Sequence, residues 1–381
     1  MIEVISGSAT DVAAQLEAGD AASFVSVHCN CEADVSALCA VDKVQNLHGA
    51  TSCLGAMTQA GATDDVAAFV LRDSDGAYGT AMRPMGGRPQ ASAFEATQAA
   101  LMAADRLGES PDLIWVSTTP GTEEDVLAGI IAAVGDDVPI IGGSAADNSV
   151  EGNWFIFDRD EQVAEGVLIT VMFPSEPVSF AYQNGYAPTE QSGVVTKCDG
   201  RTIQEIDHKP ALDTYLEWTG GQVPFDRDDP ETQAILSDST LMPLGREVAD
   251  VGGVPYFLLA HPAGARANGE IDLFATVEEG ETLTCMSGTI NGLTERAGRV
   301  ASLAMAAGNT TPTSVKGALM IYCGGCMLTV RDQLKDVVTG VNTALKGAPF
   351  LGAFTFGEQG RIVGAGNRHG NLMISCIIFG K

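Results

Sequence analysis

Basic residues are scarce: 21 Lys and Arg stand against 49 Asp and Glu in 381 residues, a formal charge of −28. Such a surface repels phosphate backbones and anionic bilayers at long range, so nucleic acid is excluded as an expected partner. Long apolar runs are missing too. Nowhere do about 18 apolar residues follow one another, as a membrane-spanning helix requires. The opening MIEVISGSATDVAAQLEAGD has neither the basic flank nor the apolar run of a secretory leader. A cytoplasmic protein without membrane insertion is expected. The nine cysteines lack the even count and tight spacing of a disulfide scaffold, and are expected as reduced thiols. Catalytic fingerprints are absent: no dinucleotide G-x-G-x-x-G after a strand, no P-loop and no nucleophile elbow. A non-enzymatic role follows as the expectation.

What is present is an ordinary globular composition, 45% hydrophobic and 18% charged, long enough for about two domains. One unit recurs along it: an apolar strand, a polar turn, an amphipathic helix and a second strand ending in glycine. Residues 111–148 show it best. Leu113–Val116 reads as a strand, and Thr122 followed by Glu123, Glu124 and Asp125 as an acidic helix start. Val126, Leu127, Ile130, Ile131 and Val134 then mark a buried helical face, and Pro139 opens the next strand. Residues 316–360 repeat the plan, and the closing run 371–379 echoes Gly166–Phe173. A fainter third copy lies near the start, with Phe24–Val27 as its strand and Cys53–Thr58 beside Phe350–Thr355.

These repeats predict an α/β protein of two related halves, mixed β-sheets flanked by helices, built from internal strand-helix-strand repeats. The boundary is placed in the turn-rich segment Asn184–Gly193, giving domains 1–193 and 194–381. Between the repeats, Val248–Ala260 and Ile271–Val277 read as antiparallel strands with Gly252-Gly253 as a turn, and Glu295–Ala307 resumes a helical pattern.

PIIGGSAADN at 139–148, VTKCDGRTIQEIDHKPALDTYLEW at 195–218, YCGGCML at 322–328 and PFLGAFTFGEQG at 349–360 occur in this order. Together they resemble the N-terminal signature, the junction and the C-terminal signatures of the FIST sensory family, over about residues 22–380. The resemblance implies an intracellular sensor in signal transduction that binds a small molecule, such as an amino acid. Its output would pass to a separate signalling partner such as a kinase or a cyclic-nucleotide enzyme.

Two glycine turns carry the expected site. Gly143, Ser144, Asp147 and Asn148 combine close backbone approach with a hydroxyl, a carboxylate and an amide, although turns favour the same residues for local reasons. Cys323, Gly324 and Glu358 supply the counterpart, with Asp147 and Glu358 as acids of a shared cleft. Cys323-Gly324-Gly325-Cys326, between a strand and a helix, admits a second reading as a thiol redox switch, since a helix N-terminus lowers a thiol pKa. The resemblance admits a third, a haem-bound nitric oxide sensor. With no CxxCH motif the haem would be non-covalent, and its axial ligand would be His369 or His261, each beside an apolar strand. His28, in a cysteine-rich turn, His48, in a loop, and His208, in the junction, are weaker candidates.

Overall fold

The computed structural model describes residues 1–380. Three six-stranded mixed sheets share one strand order and one set of directions. The first runs Ile2–Gly7, Val66–Leu71, Phe24–Cys29, Leu47–Thr51, Ile156–Phe157, Gln162–Val163. The second runs Ala77–Pro84, Gly166–Phe173, Leu113–Thr118, Ile140–Ser144, Glu358–Ile362, Gly366–Gly370. The third runs Val178–Asn184, Met373–Gly380, Val315–Cys323, Phe350–Thr355, Ala56–Thr58, Gly61–Thr63. In each, the third and fourth strands are parallel and every other pair is antiparallel.

The mixed α/β class predicted from the repeats is what forms, and the faint third copy is as complete as the other two. Its register differs from the expectation: Phe350–Thr355 corresponds to Leu47–Thr51, whereas Cys53–Thr58 crosses over and starts a hairpin. That crossing occurs in all three units. Each unit lends the hairpin after its second parallel strand to a different sheet: 56–63 joins the third, 156–163 the first and 358–370 the second. The exchange is cyclic. Backbone bonds close it into a ring where the strands end, from Cys53 N to Phe354 O (2.9 Å), Phe356 N to Ser144 O (3.2 Å) and Ala146 N to Thr51 O (3.0 Å).

Helices cover the outer faces. Ala9–Ala18 starts at Ser8, whose hydroxyl accepts from the Asp11 N–H, and Ile290–Ala307 starts at Thr289 in the same way through Gly292. These side chains satisfy donors that the first helical turn leaves free. Glu123–Val134 buries Val126, Leu127 and Ile130 as the periodicity predicts. The helices Ile290–Ala307 and Leu334–Leu345 cross at Gly298, where a Cβ would lie 2.7 Å from the Gly340 carbonyl. Inside, Phe24, Phe69, Trp115, Ile321, Leu351 and Phe379, drawn from all three sheets, form one apolar core. Burial of such aromatic and branched side chains is the main driving term for this arrangement.

Residues 187–287 form a separate nine-stranded antiparallel sheet inserted into the third unit. The hairpin Leu244–Val251 and Val254–Ala260 turns at Gly252-Gly253, both at positive φ, as expected. The turn-rich segment 184–193 is mostly strand: Ala187–Asp199 runs through it, with a register shift between Pro188 and Ser192 that absorbs the proline. Among the described residues, no helix is long and apolar enough to cross a membrane.

Candidate functional site

The second and third parallel strand pairs end at Thr118 and Ser144 and at Cys323 and Thr355, and the expected residues gather at these carboxyl ends. They do not face one another across an open cleft. Gly143 and Glu358 are partners in one antiparallel ladder, with Gln359 opposite Gly142, so the two glycine segments meet as strands rather than as turns.

Each acid has a defined task. Asp147 accepts five backbone N–H groups, from Ser149 and Val150 on Oδ1 and from Glu151, Gly152 and Asn153 on Oδ2, at 2.6–3.1 Å. Burial opposes its charge, but these bonds outweigh that and hold its carboxyl below the usual range. Asn148 pins the same loop, accepting from Leu54 N at 2.9 Å and donating to Asn30 at 3.1 Å. Glu358 is wholly buried; its carboxyl accepts from the Thr355 hydroxyl at 2.9 Å and from Met373 N at 3.0 Å. Burial, and then the nearby Cys323 thiol, push it well above the ordinary carboxylate value.

Ser144 belongs to a buried polar network that the sequence did not advertise. Its hydroxyl donates to Glu123 at 2.8 Å and lies 3.4 Å from Gln359 Nε2, which in turn is 3.3 Å from His369 Nδ1. Arg201, from the inserted sheet, reaches Glu123 and Glu124 at 2.6 Å each, and Glu124 also accepts from Thr276 N at 2.8 Å. Desolvation works against both carboxylates, yet His369 and then Arg201 hold them low, Glu124 down to about 2. Gly357 sits among them: a Cβ there would fall 2.6 Å from the His369 ring and 2.9 Å from the Ser144 hydroxyl. Glu123, Glu124 and His369 could by spacing hold a cation, but the guanidinium of Arg201 already fills that electrostatic role. In the sequence the two glutamates carried only a helix-start signal, and Arg201 carried none.

Cys323 opens onto a narrow cavity of about 40 Å³. Around it stand His261, Asn371, Thr355, Phe274 and Phe356, with Val150 from the Asp147 loop. Gly324 and Cys326 are buried behind it in the short helix Gly324–Thr329. Burial drives the Cys323 thiol well up, and its neighbour Cys326 adds to the shift. That direction is opposite to the lowering a helix N-terminus would give and on which the redox reading rests.

Haem does not fit these residues. Both His369 nitrogens are engaged, Nδ1 with Gln359 and Nε2 with the Phe274 carbonyl at 3.2 Å. His261 Nε2 bonds the Leu236 carbonyl at 2.8 Å, and burial lowers its pKa to about 4. The cavity beside it, about 40 Å³, falls far short of the roughly 300–1,000 Å³ typical of cofactor pockets. His28 and His48 were misplaced by the sequence reading: both are buried in strands. His48 bonds Thr170 and Ser117 at 2.9 Å. His208 stays exposed in a turn after Thr202–Ile206.

The FIST N domain matches residues 22–209 and the FIST C domain residues 211–361. This chain belongs to the FIST family. FIST domains are associated with sensory roles in signal transduction. An uncharacterized protein of Methanocaldococcus jannaschii is 36% identical over 80 residues, 21% of this chain. The chain thus spans only 16% of that relative's length. A solved cyanuric acid hydrolase from A. caulinodans aligns over 100% of both chains at 11% identity and a TM-score of 0.40, a likeness too loose to inform either fold or activity. In this FIST protein the N- and C-terminal signature segments lie where the second and third parallel strand pairs end.

Proposed function

We propose that this FIST protein is a non-enzymatic, intracellular sensor whose ligand is a small, uncharged molecule held in the cavity between Cys323, His261, Asn371 and Thr355. One observation carries the reading: both C-terminal signature segments line the cavity, Cys323 and Gly325 from YCGGC and Thr355 and Phe356 from PFLGAFTFGEQG, with Val150 beside them, two residues beyond PIIGGSAADN. Burial disfavours the charged forms of three titratable groups on or behind the wall. His261 is low, and Cys323 and Glu358 are high. A dry site with neutral donors and acceptors penalises a charged guest by the cost of desolvating it. A free amino acid, with an ammonium and a carboxylate, suits these walls less well than a neutral amide or alcohol.

A thiol held protonated is a weak nucleophile, which favours binding over catalysis. FIST domains are associated with sensory roles in signal transduction, and we assign output to a separate signalling protein, such as a kinase or a cyclic-nucleotide enzyme.

The test is a thermal-shift series with acetamide, urea and propanol beside acetate, glycine and methylammonium. A neutral compound at about a hundred times its dissociation constant stabilises by about 2.7 kcal/mol, or about 3 °C at roughly 2.1 cal/mol/K per residue. The shift is expected to vanish in His261→Phe and Asn371→Leu variants that fold normally. Equal shifts from charged compounds, or shifts that survive in both variants, defeat the assignment.

A further inference from the structure

A second concavity lies away from the glycine segments, where the helix Ile290–Ala307 meets the hairpin strand Val254–Ala260. It encloses about 470 Å³, within the roughly 300–1,000 Å³ of small-molecule pockets. Its polar and aromatic walls are Gln183, Asn184, Tyr186, Tyr256, Phe257 and Arg296, and no carboxylate lines it.

Arg296 is the unusual member. Glu295 turns to Arg299 instead, and among the described residues no acid lies within ion-pair distance of the Arg296 guanidinium. Its Nη2 donates to Gln183 Oε1 at 3.0 Å, while the buried Nε–H has no acceptor. A partly desolvated cation without a counter-charge is costly, and burial pulls its pKa below the ordinary arginine value. In a chain with 49 acids against 21 bases, the lack of an acid here is notable. The cost falls when an anion arrives from outside, and a planar guanidinium suits a carboxylate best.

The walls are already set. The Tyr256 hydroxyl donates to the Tyr182 carbonyl, and the Tyr186 hydroxyl to Thr240 O at 2.8 Å. Asn184 donates to Phe257 O at 2.6 Å and accepts from Tyr186 N at 3.0 Å. With both phenols and the amide committed, the aromatic faces are fixed before a ligand binds, which lowers the ordering cost of binding.

We propose that this groove is a second binding site, for a small organic carboxylate whose charged end pairs with Arg296 and whose apolar body lies against Tyr186, Tyr256 and Phe257. It does not depend on the cavity assigned above and shares no residue with it.

Calorimetric titration of the full chain with hexanoate, phenylacetate and phenylacetamide tests it, repeated in Arg296→Gln and Arg296→Lys. Both carboxylates are expected to bind the wild type. The uncharged amide should bind at least about tenfold more weakly, as loss of a charge-assisted hydrogen bond implies. Arg296→Gln should lose carboxylate binding by a similar factor while melting no lower than the wild type, because it removes an uncompensated charge. Arg296→Lys should restore it in part, with a dependence on salt. No carboxylate binding, equal affinity for the amide, or unchanged binding in Arg296→Gln overturns the proposal.

Discussion

Replacing Asp147 with Asn tests whether that carboxylate organises a loop or waits for a ligand. The substitution keeps size and one oxygen but turns an NH2 group towards N–H donors that now bond the second oxygen. At least two of the five backbone donors lose their acceptor, at about 1–3 kcal/mol each. Water reaches the outer side of residues 149–153, which are largely exposed, and repairs part of the loss. Val150, a non-glycine residue at φ 59°, is held in place by one of these bonds and adds strain if released. The net cost is about 3 kcal/mol, and at roughly 2.1 cal/mol/K per residue this lowers the melting temperature by about 4 °C. The sign with pH is fixed by the lowered carboxyl pKa. Such a group stabilises above its unfolded value, near 3.9, and that contribution disappears as pH falls through the folded value. Calorimetry should therefore show the gap between wild type and Asp147→Asn open at pH 7 and closing as pH falls from the unfolded value, near 3.9, through the folded one. A variant melting within about 1 °C of the wild type at pH 7 refutes the loop-organising role.

Arg201→Ala leaves Glu123 buried without its cation and is expected to cost about 3 kcal/mol, at the low end for a broken buried pair because Glu124 is partly exposed. Both carboxyls are held low in the intact protein, Glu124 down to about 2, so the loss should be full above the unfolded value near 4.3 and shrink as pH falls through the folded values; a gap that stays constant down to about pH 2 argues against the ion-pair account. Glu358→Gln should fold normally, since an amide can accept from Met373 N and donate to Thr355. A carboxyl with a raised folded pKa contributes stability at low pH that is lost as pH rises. The variant should gain on the wild type as pH rises above the unfolded value, near 4.3, and a difference between the two that stays flat as pH rises shows that the carboxyl is not raised.

The elements with strong periodicity were legible in the sequence. Val126, Leu127 and Ile130 are buried as their spacing predicts, and the strands 113–118 and 166–173 lie where apolar runs place them. What failed was local reading of short polar segments. His28 and His48 sit among polar neighbours in the chain, yet both point from strands into a shared interior, where Ser26, Ser117 and Thr170 satisfy three of their four ring nitrogens. Ala187–Asp199 contains glycine and proline but still runs as a strand, because a register shift accommodates them.

Of the residues expected at the site, Cys323 lines the cavity, and Gly143 and Glu358 are partners in one ladder instead of facing each other from two turns across a cleft. Period and composition carry no information about which hairpin joins which sheet. Here the hairpin after each parallel pair leaves its own sheet, so residues 215 positions apart, such as Ser144 and Gln359, share a hydrogen bond. That exchange also determines which candidates can meet a ligand. Strand pairing draws Glu358 into the interior and commits its carboxyl to Thr355 and Met373. Parallel pairing of Cys323 with Thr355 within the third sheet brings both to one cavity, which the inserted segment closes with His261 and Phe274. The two acids singled out in the sequence therefore hold the frame, and the neutral side chains beside them form the wall.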